Sequence, residues 1–184
     1  MNPSPSIMHK VIAAFEVSAE RRTSLDGQTL RGFPRWHTPR LFGDDRDAII
    51  EHYITAVGYD SNYVSYFGDD EVDVDLEEDE SPGWLCYRNP ETYRLKRLPK
   101  EEVQILQVNT PRFLHEVADL LNIPQADRKG IDQPLIDHVL WKLGSATLWN
   151  GYRTPILVAR SLPIHLDQIL SVLTHHPGAL VLST

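Results

Sequence analysis

The chain has 184 residues, 41% of them hydrophobic, and a net charge of −8, enough for one sizeable domain or two small ones whose core needs no staples. A single cysteine, Cys86, excludes an intramolecular disulfide and a zinc site built from several thiolates, a pattern that points to a reducing compartment and so to the cytoplasm. The negative balance argues against broad attachment to nucleic acid, the first residues lack the pattern of an export signal, and the longest apolar runs fall far short of the roughly 20 residues that span a bilayer.

In chain order, residues 10–18 alternate Val11, Ala13, Phe15 and Val17 with more polar partners, which predicts a strand, although the alanines are also compatible with a helix. Asp26-Gly27 is a turn that returns the chain into a short second strand, and Pro34 and Pro39 keep residues 32–39 irregular. From Asp44, Ile50, Tyr53, Ile54 and Val57 fall at helical spacing, acids crowd the first turn, and Gly58 stands where a cap belongs. Residues 59–67 are aromatic and β-favouring. After the acidic run comes a break at Ser81-Pro82-Gly83, followed by strands over 84–87 and 102–108 on either side of a basic linker.

Thr110-Pro111 reads as a helix start with Phe113, Leu114, Val117, Ala118 and Leu121 on its buried face, and Pro124 ends it. Leu135, Ile136, Val139, Leu140 and Leu143 also recur at helical spacing behind Asp132 and Pro134, which predicts a second helix over 132–143 closed by Gly144. Asn150-Gly151 between two strand-like runs is a hairpin signal, because a type I′ turn needs positive φ at both central residues. A helix opening at Ser161–Pro163, with Ile164, Ile169, Leu170, Val172 and Leu173 on its inside, and a short strand over 179–183 follow.

The predicted fold class is therefore α+β, with a mixed strand and helix region over 1–109 and a winged-helix-like helix-helix-hairpin-helix-strand region over 110–184. A winged helix reads DNA with its second helix. Here that helix would carry Asp132, Gln133, Asp137, His138 and Lys142, and two carboxylates facing a polyanion repel it. The nucleic-acid alternative would rest on Lys142, on Arg153 of the wing, and on Arg94, Lys96 and Arg97 of the basic linker. A strand hairpin between helices also resembles a restriction-nuclease core, whose chemistry needs an acid and a Glu-x-Lys-like pair on adjacent strands. Residues 152–160 contain no carboxylate.

Charge is unevenly spread. Residues 1–43 hold six Lys or Arg against three acids, whereas residues 69–80 hold nine acids and no base. Acids occupy several ligand positions of a calcium loop, but Val74 stands where the sharp turn demands glycine. Val72, Val74 and Leu76 alternate with the acids, as in an edge strand with a charged outer face; a carboxylate strip that mimics nucleic acid toward a basic partner is a further alternative.

No catalytic residue, metal site or cofactor is implied. His175-His176 suit a helix end, and Cys86, between Trp84 and Tyr87, suits a small buried thiol. Arg35, Trp36, His37 and Arg40 form a basic, aromatic loop of the type that anchors a partner. The sequence thus points to a non-enzymatic cytoplasmic interaction or regulatory protein with a protein partner, and alternatively to a DNA-binding regulator or an acidic nucleic-acid mimic.

Overall fold

Met8, Val11, Ala14 and Phe15 recur every three or four residues and are all buried, and residues Pro5–Val17 form a helix, α1. The predicted strand is corrected here: burial follows the helical period, and the two-residue alternation is incidental. The computed structural model describes residues 5–67, 70–147 and 151–184. After α1 come β1 (Arg21–Thr23), β2 (Thr29–Arg31), β3 (Phe33–Pro34), α2 (Thr38–Phe42), α3 (Arg46–Tyr53), β4 (Ile54–Tyr59), β5 (Asn62–Phe67), β6 (Asp70–Asp75), β7 (Glu77–Glu78), β8 (Trp84–Arg88), β9 (Leu95–Pro99) and β10 (Gln104–Val108). The remainder is α4 (Thr110–Leu120), β11 (Pro134–Ile136), β12 (Leu140–Thr147), β13 (Arg153–Ala159), α5 (Leu162–Leu173) and β14 (Leu180–Ser183). The fold is α+β, and the chain divides into a unit of residues 17–107 and a second that joins 1–16 to 108–184.

In the 17–107 unit the Asp26-Gly27 turn links β1 to β2 in an antiparallel pair, β10 lies between β3 and β4, β5 pairs with β6, and β8 lies between β7 and β9. Leu76, Leu85, Leu98 and Val103 form a buried cluster against which Leu25, Trp36, Tyr63 and Tyr87 pack. The helix predicted from Asp44 is present but stops at Tyr53, because Ile54 turns extended (φ −112°, ψ 142°) and Ile54–Tyr59 is strand β4. The basic linker contains strand β9, paired to β8 with Cys86 opposite Arg97 and Tyr87 opposite Lys96. Cys86 is buried. The acidic run is extended from Asp70 to Glu78, with Val74 and Leu76 buried and Glu71, Asp73, Asp75 and Glu77 exposed.

The second unit is built on the sheet β11-β12-β13-β14, in which β11, β12 and β13 are antiparallel and α5 carries the chain across to β14, parallel to β13. The helix predicted over 132–143 does not form. β11 and β12 take its place, joined by a tight turn at His138 (φ 57°). Leu140, Trp141 and Leu143 are all buried, since β12 has protein on both faces, and a strand buried on both sides shows no clean alternation and imitates helical spacing. Without that helix, α4 leads into a strand meander, and the winged-helix order is absent. The predicted hairpin is present: β12 and β13 pair from Leu140 opposite Ala159 to Thr147 opposite Arg153. Asn150 of its turn and the neighbouring Trp149 lie outside the described residues, as do Gly68 and Asp69 of the acidic run.

Leu157 and Ala159 of β13 and Leu140 of β12 share one core with Ile169 of α5. Successive strand residues point to opposite faces, so Trp141 and its register partner Val158 look the other way. There the Phe15 ring of α1 meets Trp141 at 5.4 Å and Phe113 of α4 at 4.5 Å. The sheet is thus covered by α5 on one face and by α1 with α4 on the other. Asn109 caps α4 by accepting the Arg112 backbone N–H at 3.1 Å, one residue before the predicted start.

Candidate protein-interaction surfaces

In the basic aromatic loop the structure separates four residues that the sequence groups together. Trp36 is half-buried against the Leu76–Leu85–Leu98–Val103 cluster, edge-on to Tyr63 at 5.2 Å, with the Arg22 guanidinium 5.7 Å from its ring. Its indole N–H is buried with no acceptor among the described residues. The Arg35 guanidinium donates to Gln104 Oε1 at 2.6 Å. Two members are therefore turned to the unit's own interior, and His37 and Arg40 remain at the surface. Desolvation beside Trp36, then the charge of Arg22, holds the His37 imidazole below its ordinary value.

The basic residues considered for nucleic acid fall in different units: Arg94, Lys96 and Arg97 in 17–107, Lys142 and Arg153 in the other. Arg97 pairs with Asp79 at 2.7 Å, and Arg153 is ion-paired to Asp127. Both are thus partly neutralised, and a neutralised guanidinium contributes less to counterion release from a polyanion. Lys142 sits on strand β12, so no exposed helix presents it to a groove.

The acidic strip is only partly offset by the chain's own bases. Glu78 pairs with Lys100 at 3.2 Å and Asp79 with Arg97, while Glu71, Asp73, Asp75 and Glu77 have no ion-pair partner among the described residues. Strand geometry places these alternate carboxylates about 6.8 Å apart on one face. Among the described residues no group of three or more His, Cys, Asp or Glu side chains is arranged to hold a metal ion.

A cleft of about 520 Å³ opens between the β1–β2 turn and β4. Its polar groups are occupied by one another. Ser24 Oγ donates to the Asp26 carboxylate, which holds that carboxyl below its ordinary value, and Gln28 Nε2 donates to Asp26 at 2.9 Å. Across the cleft Lys100 pairs with Glu78 and lies 4.9 Å from the Tyr59 ring.

Helix α5 differs from all of these. Ile169 is its buried centre, with Val172 and Leu173 packed beside it. Leu166, Leu170 and Leu173 are spaced i, i+4, i+7 and so form one stripe along the next flank, where Leu166 is 46% and Leu170 51% exposed. Ile164 in the first turn is 80% exposed. Residues 161–184 contain one acid, Asp167, and no Lys or Arg. The apolar arc of the helix is wider than the sheet beneath it can cover. Sequence reasoning identified the helix but assigned Ile164 and Leu170 to its inside; the signal available was that an amphipathic helix needs only about 100° of apolar arc, and α5 carries more.

No helix among the described residues is long and apolar enough to cross a membrane. No protein-family model matches the chain, and no curated protein or solved structure shows significant similarity to it.

Proposed function

We propose that the protein is a non-enzymatic cytoplasmic interaction or regulatory protein that docks a protein partner on the aliphatic flank of α5. The observation that carries this reading is the exposure of Leu166 and Leu170, one turn apart on α5, in a segment, residues 161–184, that holds one acid and no Lys or Arg. Fully burying an aliphatic side chain is worth about 1.5–3 kcal/mol, and a segment with a single charged side chain, Asp167, has little charge to desolvate, as the core of an interface requires. The reading is tested by affinity purification of the full chain from its host after nuclease treatment, beside Leu166→Glu and Leu170→Glu variants that retain the native circular dichroism. A companion recovered by the native chain and lost from both variants supports it. No companion, or the same companion in all three, overturns it.

The strip Glu71–Asp73–Asp75–Glu77 favours a second reading, an acidic surface for a basic partner. Coulombic association of that kind weakens steeply with salt. A companion that elutes with salt and is lost on neutralising these four residues, but not on Leu170→Glu, would put the strip in place of α5. The DNA-reading alternative would have to rest on Arg153 and the basic linker, since the segment meant to enter the groove is strand.

A further inference from the structure

The two edges of the β11-β12-β13-β14 sheet are built differently. β11 is three residues long, begins with Pro134, which has no N–H to offer, and has a register shift between Pro134 and Ile136. Proline, brevity and irregularity are the usual means of blocking a sheet edge against further pairing. β14, the other edge, is Leu-Val-Leu-Ser with no proline, no charge and an unbroken register against β13 from Leu180 opposite Ile156 to Ser183 opposite Ala159. Among the described residues no strand pairs with its outer side.

The direction of its hydrogen bonds follows from one contact. The Thr184 N–H donates to Ala159 O, so residues 180, 182 and 184 turn their backbone groups toward β13. Val181 and Ser183 then present both N–H and C=O to the open side. An array of this kind is complementary to itself: in an antiparallel arrangement about a two-fold axis, Val181 of one protomer stands opposite Ser183 of the other, and each such pair exchanges two hydrogen bonds.

The self-complementary array selects a second copy, and charge does not oppose it at this edge: each copy carries −8, but residues 161–184 bring only Asp167 to the encounter. We infer that the protein forms a homodimer by antiparallel pairing of β14 with β14, which merges two four-stranded sheets into one, in the register Val181 opposite Ser183 and Leu182 opposite Leu182. The hydrogen-bonded seam is made by β14 alone, so Ser183→Pro tests the dimer without altering the exposed leucines of α5.

Sedimentation equilibrium of the full chain over a range of concentrations tests the inference. The native protein is expected to reach twice the 21.0 kDa chain mass. Ser183→Pro removes an outward N–H at an exposed position without touching the bonds to β13, and the two hydrogen bonds lost per dimer, roughly 1 kcal/mol each, raise the dissociation constant on the order of tenfold or more. A second measurement does not depend on that variant folding. Leu182→Cys places two thiols across the axis in a non-hydrogen-bonded pair, with Cα atoms about 4.5 Å apart, inside the range a disulfide bridges; mild oxidation should give a covalent dimer, and Leu180→Cys should not. A chain that stays monomeric throughout, a dimer as tight with Ser183→Pro as without it, or crosslinking equal at positions 180 and 182 would overturn the proposal.

Discussion

The guanidinium of Arg160 lies 3.8 Å from the centroid of the Phe15 ring and 5.3 Å from that of Trp141, and the whole residue is 1% exposed. Arg160 directly follows β13, Phe15 comes from α1 and Trp141 from β12, so this stack fastens the first helix to the sheet of the 108–184 region. A cation against an aromatic face is worth about 2 kcal/mol or more when desolvated. Phe15→Ala removes the ring that Arg160, Trp141 and Phe113 share and should cost about 3–5 kcal/mol. Phe15→Leu restores much of the volume but no π face, and should cost less than the alanine variant. Urea denaturation of the three proteins checks the order; equal costs for both variants would show that restored volume gains nothing and that the aromatic face carries the stability.

Gly144 has φ +142°, and a Cβ there would lie 2.7 Å from Asp127 O and 2.8 Å from Ile123 Cγ2. It stands at the register shift between Lys142 and Gly144 in β12, where the extra residue brings the strand against the loop that follows α4. Because the nearest atom is backbone, which cannot swing aside, Gly144→Ala should destabilise by more than the roughly 1 kcal/mol of an ordinary glycine replacement. Thermal melts would show it. Gly151→Ala, where a Cβ meets nothing within 4 Å, isolates the conformational part of the cost.

Gly144 also marks how far the sequence could be read. Taken alone it fits a helix end, and with Leu140 and Leu143 before it the helical reading is self-consistent. What decides the matter is that β12 is covered on both faces by helices distant in sequence, α1, α4 and α5, information that no window around residue 140 contains. The same limit applies to α1, whose burial at Met8, Val11, Ala14 and Phe15 is set by a sheet more than a hundred residues away. Segments whose signal is local, the turn at Asp26-Gly27, the helix starts at Asn109–Pro111 and Ser161–Pro163, and the paired strands around residue 150, follow the sequence closely. In the candidate site the helix α5 was legible, but its exposed flank was not, since which side of an apolar helix faces water depends on the width of the sheet beneath it.

Trp36 distinguishes a loop pinned to its own core from a loop that grips a partner. Its ring packs on the Leu76–Leu85–Leu98–Val103 cluster while its indole N–H has no acceptor among the described residues, an omission that costs about 1–3 kcal/mol in a buried donor. Trp36→Phe loses part of the packing and removes the orphan donor, so the two changes oppose one another and the net cost should stay below about 1.5 kcal/mol. Trp36→Ala, with nothing to offset the lost ring, should cost about 3 kcal/mol or more. Chemical denaturation separates the two. A Trp36→Phe variant as damaged as Trp36→Ala would place an acceptor on that N–H.

His37 predicts a pH dependence of defined sign. Although the residue is exposed by area, its imidazole stands edge-on to Trp36 at 6.0 Å, and this desolvation, with the nearby charges of Arg22 and Arg40, outweighs Glu20 and Glu71 and lowers its pKa from the ordinary 6.5. Above 6.5 the ring is neutral in both the folded and the unfolded chain. As the pH falls, the unfolded chain takes up the proton first, so stability declines from 6.5 down to the lowered value and is level in this respect below it. NMR titration should find a midpoint under 6.5 at His37, and His37→Gln should flatten that part of the stability profile. A midpoint above 6.5 would show that Glu20 and Glu71 prevail.

Glu16 closes the turn that follows Arg160. Its carboxylate accepts the Ser161 N–H at 3.1 Å and the Ser161 hydroxyl at 2.9 Å, and also the Thr184 hydroxyl. Ser161 itself is left-handed, φ 51° and ψ 45°, a conformation that a non-glycine residue adopts at a cost of about 1 kcal/mol. The carboxylate therefore holds a strained residue at the point where β13 passes into α5. Ser161→Ala keeps the strain and loses the hydroxyl's charged hydrogen bond, worth about 1.5–3 kcal/mol, whereas Ser161→Gly loses the same bond and relieves the strain. Ser161→Ala should thus be the less stable of the two by about 1 kcal/mol, and Glu16→Ala, which releases all three donors, the least stable of the set. Melting temperatures give the ranking directly; Ser161→Gly falling below Ser161→Ala would mean that the left-handed turn is not where the strain resides.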